Sequence, residues 1–169
     1  IEGVVYFASP VSFKHGREHF DLITWMGIYR HGAPGVEGAD NTTVRLDFDN
    51  EPQPDVILRY VEGGTSRTSG LYLQGPPELV AEVALSSVSI DMHDKLHAYR
   101  RNGVQEYIVW RVEDQALDWF SLEDGEFRRL EPDERGVIHS KVFPGLRLAV
   151  GALIAGDMTT VMAEQQRHD

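Results

Sequence analysis

The sequence predicts an α+β fold, close to the α/β class, in which a mixed and curved central sheet is flanked by helices. The first observation is the segment from Pro77 to Trp110, whose pattern indicates a strand, a crossover helix and a second strand. The second is a helical pattern from about His15 to Tyr29, and the third is a series of short strand patterns around these segments. Two main helices among many strands, in mixed order, are typical of this class.

The central segment begins with a strand that carries a single carboxylate. Leu79 to Leu85 is an apolar run of strand length that contains Glu82. Apolar residues then recur at helical spacing from Met92 to Tyr99, and Gly103 ends the helix before the second strand. An unpaired charge is costly to bury, so we expect Glu82 to have a cation or a strong hydrogen-bond partner beside it.

Before the central segment, the sequence predicts one long helix and three strands. Val4 to Ala8 has the pattern of a short edge strand, and Ser12 can cap the helix that follows. Thr43 to Phe48 alternates apolar and polar residues as a half-buried strand does, and a further strand begins at Asp55. Gly63 to Gly70 contains little apolar material and is interpreted as a mobile loop that closes over a ligand.

The apolar pattern of the long helix predicts that the chain forms a homodimer. Its apolar residues cover more than one face, which is wider than the stripe of an ordinary surface helix. They are Phe20, Leu22, Ile23, Trp25, Met26 and Ile28. One side of the helix is expected to contact the sheet, and the other is expected to contact a second copy of the chain.

After the central segment, the sequence predicts a hairpin, two further strands and a helical tail. Their ranges are Ala116 to Leu122, Glu126 to Leu130, Val137 to Val142, Leu146 to Val150 and Ala155 to Asp169. Asp124 and Gly125 lie between the first two ranges, where a hairpin turn is expected. The sequence contains no internal repeat or low-complexity tract, so we expect residues 1–169 to form a single domain.

Composition and charge exclude several kinds of site. The chain has no cysteine, so its only metal ligands are oxygen and imidazole, and a cysteine nucleophile is excluded. The net charge of −11 argues against a broad nonspecific grip on nucleic acid, although carboxylates that bind divalent cations reverse their local sign. The sequence has neither an apolar run long enough to cross a bilayer nor a signal-peptide pattern, so a cytoplasmic location is expected.

Three polar residues are candidates for one catalytic site. Asp55 starts a predicted strand, Glu82 lies inside another, and Lys95 lies on the following helix at the border of its buried stripe, next to Asp91. Two carboxylates suit a hard divalent ion that polarises a phosphoryl group, and an ammonium stabilises developing negative charge. Two of them also have an ordinary explanation: Asp55 as a strand-start residue and Lys95 as a lysine with its stem on apolar surface. Tyr99 is interpreted as a packing residue.

Several motifs occur in an order that resembles a known family. They are IEGVVYFASP with His15 soon after, Pro54 to Val56, GPPELVAEV, a helix with Lys95, Leu96 and Tyr99, and GVQEYIVW. This order, from Ile1 to about Val150, resembles the Uma-type putative restriction endonucleases, a branch of the PD-(D/E)XK nuclease superfamily. The resemblance implies a restriction-endonuclease-like fold and an endonuclease that hydrolyses DNA phosphodiester bonds with Mg²⁺ or Mn²⁺.

The resemblance also implies roles for individual residues. Asp55, Glu82 and the main-chain carbonyl of Val83 would bind the metal ion. The usual superfamily lysine would stand at Ala84, but in the Uma-type branch it comes from the next helix, where Lys95 matches. Lys95 would position or activate the attacking water.

The sequence departs from the family pattern at two points. Relatives commonly have an acid two residues before the position of Ile1, and a Ser-Pro pair where this chain has Ser86 and Ser87. The lack of the first acid and the strong acidity of the chain favour an alternative. This alternative is a catalytically inactive dimeric module of the same fold, with a binding or structural role.

A second alternative is a zinc hydrolase that uses the sequence HGREH, from His15 to His19. This sequence fits the H-x-x-E-H pattern of inverted zinc proteases, with Glu18 as the base. Histidines at i and i+4 share a helix face and would hold zinc with a third ligand from elsewhere. Gly16 weighs against this interpretation, because glycine loosens the helical turn that must hold His15.

Overall fold

The computed structural model describes residues 1–6, 11–85 and 88–167. Its strands in chain order are β1 (Val36–Asp40), β2 (Val44–Arg45), β3 (Val56–Tyr60), β4 (Arg67–Ser69), β5 (Tyr72–Gln74), β6 (Leu79–Ala84), β7 (Glu106–Arg111), β8 (Ala116–Glu123), β9 (Glu126–Arg129), β10 (Val137–His139) and β11 (Arg147–Ala149). Its helices are α1 (Phe13–His31), a π-helix (Ile90–Asp94), α2 (Lys95–Arg101), α3 (Val150–Ala155) and α4 (Met158–Gln165).

The central sheet has six strands in the order β1-β3-β6-β7-β8-β9. Strands β6 and β7 are parallel, whereas the other neighbouring strands of this sheet are antiparallel. A parallel pair needs a crossover connection, which the π-helix and α2 supply between β6 and β7. The predicted strand, helix and strand of the central segment are therefore confirmed, and so is the mixed α+β class.

Each face of the central sheet has its own core. Leu58, Ala81 and Ile108 lie in the core on the side of α1, α3 and α4. Their neighbours Ile57, Val80 and Val109 lie in the core with Tyr99 of α2 and with the small sheet of β2, β5 and β4. Because side chains alternate along a strand, one residue of shift decides which core a side chain joins.

Helix α1 is confirmed and is longer than predicted. The Ser12 hydroxyl caps it by accepting a hydrogen bond from the main-chain N–H of His15 at 3.2 Å. Trp25 is fully buried, packs edge-on against Trp119, and donates its indole N–H to the carbonyl of Arg147 at 2.8 Å. At 19 residues α1 carries several charges, and no helix of the described residues is both long and apolar enough to span a bilayer.

The predicted edge strand from Val4 to Ala8 is wrong in its described part, residues 4–6. Gly3 has a φ of 72° and forms a turn in which the Val4 N–H donates to the carbonyl of Ile1. The main-chain groups are thus used inside the turn rather than in a strand ladder. The remainder of that predicted strand lies outside the described residues, as do Ser86 and Ser87.

The interval from Gly63 to Gly70 is not a loop throughout, as the sequence predicted. Its last part forms β4, which pairs antiparallel with β5 although its three side chains are exposed. The buried carboxylate of Glu78 accepts the main-chain N–H of Thr65 at 2.8 Å and holds the preceding turn against the sheet. Main-chain pairing therefore orders a polar segment that side-chain hydrophobicity did not predict.

The predicted strands near the C-terminus are shorter than expected. Strand β10 stops at His139, because the buried Glu106 carboxylate binds the hydroxyl of Ser140 and the N–H of Lys141, both at 2.7 Å. Strand β11 stops at Ala149, where α3 begins without having been predicted. The helical tail is confirmed as α4, which the Asp157 carboxylate caps.

Candidate active site

Asp55 and Glu82 lie on the same face of the central sheet. Strands β3 and β6 pair antiparallel with Val56 opposite Ala81, and continuing this register by one residue sets Asp55 opposite Glu82. Both side chains therefore point toward α2, as Ile57 does. The main-chain N–H of Asp55 lies 3.4 Å from Glu82 Oε2.

The Asp55 carboxylate, one residue before β3 begins, takes the place of a strand partner for β6. Its Oδ2 accepts the main-chain N–H of Val83 at 2.7 Å. Along a strand, the N–H and the carbonyl of one residue point to the same side, and those of the next residue point to the opposite side. The carbonyl of Ala84 accordingly points away from Asp55 and accepts the N–H of Val112, just after β7. The Val83 carbonyl thus points to the side of Asp55, where the predicted metal ligands lie.

The buried Glu82 carboxylate has both kinds of partner that the sequence led us to expect. Glu82 is only 3% exposed, and its Oε1 lies 3.0 Å from the amine of Lys95 and 2.9 Å from the hydroxyl of Tyr99. Burial raises the pKa of Glu82 from its ordinary value of 4.5 to about 7. The carboxylates of Asp91 and Asp55 add to this rise and the Lys95 ammonium opposes it.

Lys95 directs its amine into the site rather than to solvent. It is the first residue of α2, and its Nζ lies 2.8 Å from Asp91 Oδ1 as well as near Glu82. Burial lowers the pKa of Lys95, but the two carboxylates raise it by more, so the pKa lies above its ordinary value. Lys95 is therefore an ammonium at neutral pH.

Sequence reasoning missed the part that two residues play in the site. Asp91 is 1% exposed and carries the second carboxylate bound to Lys95. Tyr99 packs against Tyr107 as predicted, with ring centroids 4.9 Å apart, but it also donates its hydroxyl to Glu82. The spacing of Asp91 and Lys95 at i and i+4 was the available signal for the first, whereas the hydrogen bond of Tyr99 depends on tertiary packing.

The histidines of the HGREH sequence lie at the edge of this site. His15 Nε2 is 3.8 Å from Asp55 Oδ2, and His19 Nε2 is 2.9 Å from the main-chain oxygen of Asp55. Glu18 is buried and accepts a hydrogen bond from the Arg17 guanidinium at 2.7 Å, so it is not poised as a base beside the histidines. Over residues 1–6, 11–85 and 88–167, no three His, Cys, Asp or Glu side chains form a group that could hold a metal ion.

The charges and oxygen donors of the site fit a divalent cation that is bound by two side chains and a main-chain carbonyl. The carboxylates of Asp55, Glu82 and Asp91 face a single ammonium, that of Lys95, so the ionised cluster carries an excess charge of −2. Burial is the main cause of the high pKa of Glu82, and the negative charges of Asp91 and Asp55 add to it. Two carboxylates and a main-chain carbonyl are hard oxygen donors, which Mg²⁺ and Mn²⁺ prefer.

Comparisons with known proteins show the family and the fold of the chain. The model of the Uma2 family, described as putative restriction endonuclease, matches residues 1–151. The fold is similar to the crystal structure of a putative nuclease belonging to DUF820 from Anabaena variabilis, with a TM-score of 0.72 and 13% sequence identity over 92% of this chain and 88% of that chain. No curated protein matches the chain. The structural likeness shows the restriction-endonuclease-like fold that the sequence motifs implied.

Proposed function

Because the chain belongs to the Uma2 family of putative restriction endonucleases, we propose that it is an endonuclease that hydrolyses DNA phosphodiester bonds with Mg²⁺ or Mn²⁺. The observation that carries the proposal is the arrangement of Asp55 opposite Glu82 on one sheet face, with the Lys95 amine 3.0 Å from the Glu82 carboxylate. Residues distant along the chain meet at one place, and their residue types suit phosphodiester hydrolysis.

The carboxylates of Asp55 and Glu82 and the carbonyl of Val83 would hold the cation. A hard divalent cation, when bound, polarises a phosphoryl group and lowers the pKa of water. The protein supplies oxygen donors from two paired strands, which are more rigid supports than a loop. The hydrogen bond from Val83 N–H to Asp55 Oδ2 fixes the orientation of one donor before any cation arrives.

Lys95 would stabilise negative charge on the phosphate or orient the attacking water. Its ammonium has three N–H donors, and two of them serve the carboxylates of Glu82 and Asp91. The third is available to an oxygen of the substrate or of water. A fixed cation beside a phosphate in a partly buried site stabilises developing charge more strongly than the same cation in water.

DNA as the substrate and a homodimer as the assembly complete the proposal. The chain is acidic overall, so attraction to DNA would depend on local cations at the site rather than on the net charge of −11. The outer side of α1 exposes Phe13 and Phe20, which is the surface that we propose for the second copy. The lack of cysteine is consistent with a reducing, cytoplasmic location.

A plasmid nicking assay tests the proposed activity. Supercoiled plasmid should be nicked by the parent protein with Mn²⁺ and left intact with a chelator. Glu82→Ala should slow nicking by more than about 100-fold, since losing a metal ligand costs more than losing one of its supporting partners. Glu131→Ala, a change at an exposed glutamate outside the site, is the matched control and should nick like the parent. An inactive module would leave the plasmid intact under all conditions.

A further inference from the structure

The carboxylate of Asp91 is not among the proposed cation ligands, yet it is buried beside the site. Asp91 is 1% exposed, and its Oδ1 lies 2.8 Å from the Lys95 amine. Exposed ion pairs at this i,i+4 spacing contribute little to stability, and burying a carboxylate has a cost of its own. A pair that served stability alone would gain nothing from being buried here.

A hydrogen bond from the central sheet holds the main chain at Asp91, in addition to the hydrogen bonds of its own helix. Tyr107 of β7 is fully buried and donates its hydroxyl to the main-chain oxygen of Asp91 at 2.9 Å. The residue lies in the π-helix that precedes α2. π-Helical turns are rare in proteins, and those that occur are often located at functional sites. Asp91 is therefore a fixed point from which the Lys95 side chain is oriented.

Two carboxylates share one amine, but only one of them is a candidate cation ligand. Glu82 Oε1 lies 3.0 Å from Lys95 Nζ, and Asp91 Oδ1 lies 2.8 Å from it. A Glu82 carboxylate that also binds a cation has less negative charge to offer the amine. Asp91 is not one of the proposed cation ligands, so its negative charge stays beside Lys95 when a cation binds.

We propose that Asp91 is a positioning residue, whose buried carboxylate holds the Lys95 amine in place while Glu82 is engaged by a cation. This inference rests on the proposed nuclease function, because it assigns Asp91 a part in the same site. Asp91 touches neither substrate nor cation in this arrangement. It acts through Lys95.

Kinetics of plasmid nicking with Asp91→Asn test this role. We expect kcat to fall roughly 10- to 100-fold with KM unchanged, as for other losses of a supporting partner or a misplaced catalytic group. Calorimetric titration should give the same Mn²⁺ Kd as in the parent. Asp94→Asn is the matched control, because Asp94 is exposed on the same π-helix, and it should leave kcat unchanged. Asp91→Glu, which keeps the charge, should give an intermediate kcat if Asp91→Asn does not fold.

A double variant distinguishes positioning from a general structural role. Asp91→Asn combined with Lys95→Met should nick no more slowly than Lys95→Met alone, because Asp91 acts through the lysine. If the two losses multiply, Asp91 acts independently and the inference is overturned. If the parent nicks the plasmid and Asp91→Asn nicks it equally fast, the inference is overturned and the proposed function stands. A parent that does not nick overturns both.

The cation-free protein supplies a readout that does not depend on activity. The chain has three lysines, and Lys14 and Lys141 are about half exposed whereas Lys95 is bound in the site. In acetylation followed by mass spectrometry, Asp91→Asn should raise the labelling rate of Lys95 several-fold relative to the other two. An unchanged rate would show that Asp91 does not hold the amine and would overturn the inference.

Discussion

Asp55 lies opposite Glu82 across the antiparallel strands β3 and β6, and its main-chain N–H is 3.4 Å from the Glu82 carboxylate. Each carboxylate is supported separately, that of Asp55 by the Val83 N–H and that of Glu82 by Tyr99 and Lys95. The arrangement gathers negative charge where little water reaches it. Most of the expected behaviour of the protein follows from that charge.

The stability of the cation-free protein should fall as pH rises. The pKa of Glu82 is about 7 in the fold against an ordinary value of 4.5, so between these values the folded state holds a proton that the unfolded state has released. The loss of stability between pH 4.5 and pH 7 is on the order of 3 kcal/mol for such a shift. Urea unfolding with a chelator, from pH 5 to pH 8, measures it. Glu82→Gln should flatten the slope, and an equally steep slope in that variant would assign it to other groups.

Tyr99→Phe should destabilise the fold without disturbing the packing of the ring. The substitution removes only the hydroxyl that donates to Glu82 Oε1, and a hydrogen bond to a charged group contributes roughly 1.5–3 kcal/mol. The change in the free energy of urea unfolding at pH 8 checks this value. Tyr72→Phe is the control, because Tyr72 is 38% exposed on β5 and lies outside the site. Equal stability of the Tyr99→Phe variant and the parent would mean that the hydrogen bond makes no net contribution.

The outer face of α1 should be a dimer interface. Phe13 and Phe20 are 87% and 71% exposed in the single chain, which is unusual for large apolar side chains on one helix. Light scattering after size-exclusion chromatography should give twice the chain mass for the parent and the chain mass for Phe20→Ser. Phe48→Ser, at another exposed phenylalanine, should remain dimeric. A parent that elutes with the mass of one chain contradicts the proposed homodimer.

The part of the fold nearest the site was the most predictable from sequence. The strand that contains Glu82 and the helix of Lys95 differ in the period of their apolar residues, so their types and order followed from the pattern. The meeting of Asp55 with Glu82 came from the resemblance of motifs, and the register of β3 and β6 agrees with it. The catalytic roles of these residues remain predictions.

Other parts depended on contacts that no local pattern contains. The main-chain oxygen of Asp91, in the π-helix, accepts a hydrogen bond from Tyr107. Tyr107 lies on β7, which follows α2 in the chain. Strand β10 ends where Glu106, distant along the chain, binds Ser140. In both cases a side chain from another element forms a hydrogen bond with a main-chain or hydroxyl group. The local sequence contains no signal of such a hydrogen bond.

The central claim, that Asp55 and Glu82 together hold one divalent cation, is tested most directly by calorimetric titration of the parent protein with Mn²⁺. We expect one saturable site per chain, which disappears in Asp55→Asn and persists in Asp40→Asn, a change at an exposed aspartate of β1. Circular dichroism should show that both variants keep the parental fold. A parent without a saturable site, or a site that persists with the same affinity in Asp55→Asn, would contradict the claim.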